Sequence, residues 1–262
     1  MSLAPALSSR VFERRRRWVS NLATAAALLA WVAASLYLPV YLLPGPWVVV
    51  QRLGEFLADR HMWFHIAASV GHVAVSLVIS VLAGSVLAGL AHYAPAFRLL
   101  VHGRIAPFLN SFAGIAWILI GILWFGLNHV TVVFAISMVL IPFAIINMRV
   151  GYEAIDAELL EMARSFGRGR MQRFSRIVLP SLLPFLFSTT RICFGVAWKI
   201  ALTAELFGGN SGFGYLFNLA RQQYDTALVF VVIGIIVLFV YGVDRFIFEP
   251  LQLRLMKQYE IA

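Results

Sequence analysis

The chain has 262 residues, of which 61% are hydrophobic and 13% charged, where soluble proteins carry about 45–50% and about 25%. The length would allow one or two soluble domains, but such a composition leaves too little polar surface to cover them, and the chain is an integral membrane protein. Its formal net charge of +9 rests on arginines clustered beside an apolar run, at Arg14 to Arg17, which marks topology and not a nucleic-acid surface.

A spanning helix needs about 20 mostly apolar residues. Six segments qualify in chain order: Trp18–Leu38, Ile66–Ala91, Ile105–Leu127, Val130–Met148, Ser181–Ala204 and Ala227–Val243. The first is too long for the core of a signal peptide, about 7–15 residues. Only Asn128-His129 separates the third from the fourth, which predicts a tight helical hairpin. With the N-terminus inside, the inner segments hold sixteen basic residues and the outer ones only Arg52, Arg60 and Arg221. That bias puts both termini in the cytoplasm. The chain then divides into a basic tail over 1–17, a transmembrane domain over 18–250 and a second tail over 251–262.

Between the first two spans, Leu43-Pro44-Gly45-Pro46 predicts a rigid turn, followed by an amphipathic or interfacial piece with Trp47 and Trp63. Small residues at Ala83-Gly84-Ser85 and Gly89 predict close helix approach, and His72 beside them a packed, hydrogen-bonded contact. Asn110 and Ser111 in the third span suit either a pore lining or a bond across helices. The single cysteine, Cys193, excludes an intramolecular disulfide and a cysteine metal site.

The stretch 149–180 is the only sizeable inner connection. Ile155, Leu159, Met162, Ala163 and Phe166 make an apolar stripe on one helical face. Acids fill its first turns, Arg164 its last, and Gly167 follows as a C-cap. The stripe fits either a partner's groove or the membrane surface. Leu179-Pro180 marks entry to the fifth span. Within that span Arg191 lies near mid-bilayer at about 1.5 Å per residue. Arg191, Gly195 and Lys199 share a face at i, i+4 and i+8, with Trp198 beside them and Glu205 at the outer boundary. Two readings stand: a cationic and aromatic wall suited to an anion, or Arg191 capping carbonyls while Lys199 snorkels toward Glu205. The glycines from Gly208 to Gly214 suit a tight re-entrant or surface loop, or a phosphate cradle. No G-x-x-x-x-G-K-[ST], H-E-x-x-H, EF-hand or G-x-S-x-G pattern occurs, so the chain has no visible means of hydrolysing ATP.

Glu161-Met162-Ala163-Arg164-Ser165-Phe166-Gly167, followed after nine residues by Ile177-Val178-Leu179-Pro180, resembles the EAA loop of binding-protein-dependent ABC importer permeases. Only Met162 departs from its E-A-A, three residues, G, nine residues, I-x-L-P spacing. Leu43-Pro44-Gly45-Pro46, Ala116-Trp117, Leu123-Trp124-Phe125-Gly126 and the series Arg191, Ala197-Trp198, Glu205, Gly212-Phe213-Gly214 resemble further family segments. The pattern is most similar to the nitrate, sulfonate and taurine subgroup, although Ile118-Leu119 lacks the usual nearby proline.

The resemblance implies an all-α, six-span permease of the type I importer fold in the bacterial inner membrane, with 151–180 as its coupling loop. Glu161, Ala163, Phe166, Gly167, Ile177, Leu179 and Pro180 would engage the ATPase, and Glu161 would help hold the loop in its cleft. Arg191, Trp198, Lys199, Glu205, Asn110 and Ser111 are the candidate substrate-path residues. The implied partners are a second copy of the chain, two ATPase subunits that bind ATP and magnesium, a soluble or lipid-anchored binding protein, and membrane lipid. The chain itself would be no enzyme and hold no cofactor or metal. Its solute would be small and anionic: a sulfonate, nitrate or taurine-like ion, a related organic acid or a vitamin precursor. The alternatives are a secondary transporter without an ATPase, disfavoured by spans lacking Asp or Glu suited to ion coupling, and a structural membrane anchor.

Overall fold

The computed structural model describes residues 22–165 and 169–252. The expected tail over 1–17, the start of the first span at Trp18, most of the 251–262 tail, and Phe166, Gly167 and Arg168 lie outside the described residues. Among the described residues the regular elements are all helices and no strand occurs. In chain order they are α1 (Leu22–Tyr37 as described), α2 (Pro46–Ala58), α3 (Arg60–Tyr93), α4 (Pro95–Ser111) and α5 (Gly114–Phe125). Then come α6 (His129–Glu153), α7 (Ala157–Ser165), α8 (Met171–Gly208), α9 (Phe213–Gln222) and α10 (Thr226–Gln252).

Four of these, α3, α6, α8 and α10, are long and apolar enough to cross a membrane, and the α4–α5 pair is a fifth if it counts as one span. The expected six-span count is therefore not reached by length and composition within the described residues. The long helices overrun the apolar segments at their ends, because hydropathy marks the thickness of the hydrocarbon while the helical hydrogen bonds continue past it.

One expectation is corrected. Ile105–Leu127 is not one straight span: α4 and α5 meet at 85°. The break falls at Phe112 and Ala113, whose ψ angles of 132° and 144° are extended. Ser111 Oγ donates to the Pro107 carbonyl at 2.7 Å, the kind of back-bond that competes with the helix and bends it. Leu179-Pro180, expected at the entry to the fifth span, opens the regular α-helical stretch Leu179–Gly208, although α8 as a whole starts earlier. α8 runs through it, and the widened π-helical turn Phe174–Val178 lies directly before it. Proline supplies no N–H, and the altered ladder of such a turn accommodates that loss. Ile177 sits in that turn.

The described residues form two compact units. The larger comprises 60–219 with 232–252 and is built around α6. That helix is apolar on every side, as a central helix must be, and Val132, Ala135, Ile136, Leu140, Ala144 and Ile145 are fully buried. A Cβ at Gly84 of α3 would fall onto Ala144 of α6, so the predicted close approach is real at this pair. The α5–α6 connection is tight, running over the three residues 126–128 rather than over Asn128-His129: Thr131 Oγ1 donates to the Gly121 carbonyl at 3.2 Å and the Gly126 carbonyl at 2.5 Å.

The smaller unit comprises 22–59 with 220–231. Trp31 of α1 stacks on Phe230 with centroids 5.7 Å apart, and its indole N–H donates to the Pro44 carbonyl in the predicted turn at 3.1 Å. Arg52 of α2 donates to Asp225 at 2.7 Å and to Glu55 at 2.6 Å.

Candidate functional site

The connection from α6 to α8 is built on a short helix. α6 closes with Arg149 Nε donating to Glu153 at 2.7 Å, the favourable four-residue spacing. Asp156 Oδ1 accepts from the Glu158 N–H at 2.8 Å and so starts α7, since a side-chain oxygen must satisfy the free amides of a first turn. Ile155 packs on the core formed by Ala88, Met148, Tyr152, Val178 and Leu182, which anchors the root of α7. Glu161 and Met162 are exposed and Ala163 is buried. On α8, Ile177 and Pro180 are half-buried and Leu179 exposed. The expected contributions of Phe166 and Gly167 lie outside the described residues.

A second constellation lies at the far end of α8. Glu205 is 1% exposed, and a carboxylate taken out of water to that degree needs partners for its oxygens. Oε1 faces His72 Nδ1 at 2.8 Å. Oε2 accepts from Ser69 Oγ at 2.8 Å and from the Gly214 N–H at 2.9 Å. Behind this shell, His72 Nε2 lies 2.8 Å from His129 Nδ1.

The glycine-rich loop closes over this carboxylate. Three successive amides are used: Gly212 N–H to His65 Nδ1 at 3.2 Å, Phe213 N–H to Ser69 Oγ at 2.7 Å, and Gly214 N–H to Glu205. Gly212 has φ +107°, and a Cβ there would fall onto the Glu205 carboxylate. The glycines therefore serve a close backbone approach. The amides that a phosphate cradle would need are already donated to the chain's own side chains.

Arg191 belongs to a third cluster. Nε and Nη2 donate to the two oxygens of Asp244 at 2.8 and 2.9 Å, a bidentate pair, and Nη1 reaches Gln252. Arg191 neither caps backbone carbonyls nor stands without a partner. Asp244 lies one residue beyond the expected end of the sixth span, but α10 runs on through it. α10 thus carries a carboxylate just past the expected span, held by an arginine of α8.

The other candidate path residues occupy separate positions. Arg191 and Glu205 are about 21 Å apart along α8 at 1.5 Å per residue. Trp198 is buried among Phe194, Phe213 and Phe239, and its indole N–H has no hydrogen-bond partner. Lys199 is exposed. The expected pairing with Glu205 is not made, since Ser69, His72 and Gly214 take that carboxylate. Asn110 and Ser111 are exposed beside the α4–α5 break. Sequence reasoning found Glu205 and the glycines separately and missed Ser69, His65 and His129 as their partners. One signal was available, a lone acid closely followed by G-F-G, but nothing in it pointed to α3. No group of three His, Cys, Asp or Glu side chains among the described residues is placed to hold a metal.

The model of the family described as "Binding-protein-dependent transport system inner membrane component" matches residues 14–248. The chain belongs to this family. The permease is 28% identical over 259 residues to a putative aliphatic sulfonates transport permease of Bacillus subtilis (strain 168), covering 97% of this chain and 92% of that protein. It is 24% identical over 250 residues to the taurine transport system permease of Escherichia coli (strain K12), covering 88% and 89%. It also matches a nitrate import permease of Leptolyngbya laminosa at 27% identity, over 60% of this chain and 56% of that protein. The resemblance carried by the EAA-type segment is borne out, down to the subgroup. The fold is also that of a chain in inward-facing structures of the MetNI methionine ABC transporter, with TM-score 0.64, 16% identity, and coverage of 76% of this chain and 99% of that one. This permease is accordingly a multi-pass inner-membrane component of an ABC importer with the type I fold.

Proposed function

We propose that this permease forms, with a second copy of itself, the path by which a small anion crosses the inner membrane. Two ATPase subunits dock on the connection containing α7, and a soluble or lipid-anchored binding protein delivers the solute from outside. ATP and magnesium are bound by the ATPases, and this chain holds no cofactor and makes no covalent bond. Closure of the ATPase pair moves α7 and so drives alternating access. One observation supports this reading: the first EAA-type residues, Glu161, Met162 and Ala163, fall on a short helix where Glu161 and Met162 are exposed, rooted by Ile155 between two long apolar helices. The sulfonate, taurine and nitrate specificities named for the relatives support a sulfonate- or nitrate-like anion.

The secondary-transporter alternative needs a carboxylate free to exchange a proton or sodium ion. Glu205 and Asp244 are both engaged by neighbouring side chains, which disfavours it. Reconstitution decides between the two. Vesicles containing this chain, a co-purified Walker-motif ATPase and the binding protein should accumulate solute only when ATP is supplied; uptake driven by an ion gradient without ATP would overturn the proposal.

Orientation is tested separately. A reporter active only in the cytoplasm should work when fused at Gly169 and be silent at Gln223, as the arginine bias predicts. Activity at Gln223 would refute both termini being inside.

Lys199 is the exposed cation on the span that also holds Arg191. If it faces the anion, Lys199→Gln should reduce uptake about tenfold, the worth of one charge-assisted hydrogen bond, with ATPase association unchanged. Lys199→Arg should retain most of the activity. Normal uptake by Lys199→Gln would remove this side chain from the path.

A further inference from the structure

At the Glu153 end of α6, a cavity of about 210 Å³ opens between α3, α4 and α6. The polar side chains around it are His92, Arg98, His102, Arg149, Tyr152 and Glu153. Its floor is Ala88 and Ala91, both buried, so the small side chains of α3 leave the space that the longer ones surround. The volume is below the roughly 300–1,000 Å³ of a drug-sized ligand site and suits an oxyanion with a small substituent.

The lining is arranged for negative charge. Two arginines and two histidines face one carboxylate, Glu153, which is already bound by Arg149 at 2.7 Å. Arg98 has no ion-pair partner among the described residues, although it lines the same cavity. His92 stacks on Tyr152 with centroids 5.5 Å apart and planes 26° from parallel. A Cβ at Gly89 would lie only 2.7 Å from the Tyr152 hydroxyl, so this wall is held tightly. His102 belongs to the π-helical turn Val101–Ile105, a distortion that recurs where function requires it. The turn before it exposes Phe97, Leu99 and Leu100, an apolar surface directly beside the cations.

We propose that this cavity binds a phosphate group carrying net negative charge, either the headgroup of an anionic membrane phospholipid or free inorganic phosphate. Basic pockets between membrane helices at the cytoplasmic side recognise such groups. The apolar turn at Phe97–Leu100 would carry acyl chains if the source is lipid. Arg98 supplies a cation with no ion-pair partner among the described residues, His92, His102 and Tyr152 supply further donors, and Glu153 competes with the ligand for Arg149. Because Tyr152 shares a core with Ile155 at the root of α7, occupancy stiffens the seat of that helix. The site does not depend on which solute the permease carries.

The test uses the purified full-length chain in detergent. In one arm, native mass spectrometry compares retention of phosphatidylglycerol with phosphatidylcholine; in the other, inorganic phosphate is titrated by calorimetry. Wild type should retain phosphatidylglycerol about tenfold better, or bind phosphate, and Arg98→Gln combined with His102→Gln should cut that binding about tenfold. Glu153→Gln should strengthen it by removing the competing carboxylate, a gain that misfolding does not produce. Binding in the lipid arm alone identifies a headgroup site, and binding in the phosphate arm alone a soluble-anion site. Absence of both, or unchanged binding in the double variant, overturns the proposal.

Discussion

Gly212→Val should abolish uptake and sharply reduce the amount of folded permease in the membrane. A β-branched residue at φ +107° is strained by about 1–2 kcal/mol. The larger effect is steric: its Cβ would occupy the position of the Glu205 carboxylate, which has no room to retreat because three partners hold it. Displacing that group breaks a buried charged network, at about 3–5 kcal/mol. Against a total stability of about 5–15 kcal/mol, that loss removes from about a fifth to all of the margin. Glu205→Leu should act the same way from the other side, leaving Ser69, His72 and the Gly214 amide without their acceptor. Gly195→Ala is the control, since a Cβ there meets nothing within 4 Å. The measurement is the thermal midpoint of the purified chain together with its membrane abundance and uptake. A Gly212→Val permease with the midpoint and uptake of the Gly195→Ala control would show that the loop does not depend on this approach.

That network also marks where sequence reasoning stops. Hydropathy and period revealed the four long apolar helices, the amphipathic α7, the tight α5–α6 turn and the small-residue contact at Gly84. Each of these is a local or periodic property of the chain. The break at Phe112 is invisible to the same method, because residues on both sides are equally apolar and only a ψ angle changes. The π turn before Leu179-Pro180 is hidden for a similar reason: proline reports a missing donor, but not whether the helix stops or widens. Pairings over long separations are less accessible still. Nothing in the composition around Ser69 or His72 announces Glu205, more than 130 residues later. Asp244 escaped notice because the hydropathy of the sixth span ends at Val243, while the helix does not.

The three clusters have a common element in α8. Its 38 residues span about 57 Å at 1.5 Å per residue, with Ile177 and Pro180 near one end and Glu205 near the other. Arg191 lies between them and ties α8 to α10 through Asp244. The distortions of α8, the π turn and Pro180 with Pro184, are confined to the end nearest α7. Beyond Pro184 the helix is unbroken to Gly208, so one continuous helix joins the end near α7 to the loop closed over Glu205.

Glu161→Lys should therefore uncouple the permease without unfolding it. Glu161 is exposed, and among the described residues it makes no side-chain hydrogen bond or ion pair that its replacement would remove. Membrane abundance and thermal midpoint should stay at wild-type values. If Glu161 meets the ATPase cleft in a desolvated charge contact, reversing it costs about 2–5 kcal/mol at the interface, which is at least about thirtyfold in affinity. Pull-down of the ATPase and uptake of solute should fall together by that factor or more. Glu158→Lys reverses the same charge one turn earlier on α7 and should have a much smaller effect. Equal losses in the two variants would mean that any added positive charge on this helix repels the ATPase. Normal pull-down and normal uptake in Glu161→Lys would mean that α7 is not the element through which the ATPase drives transport.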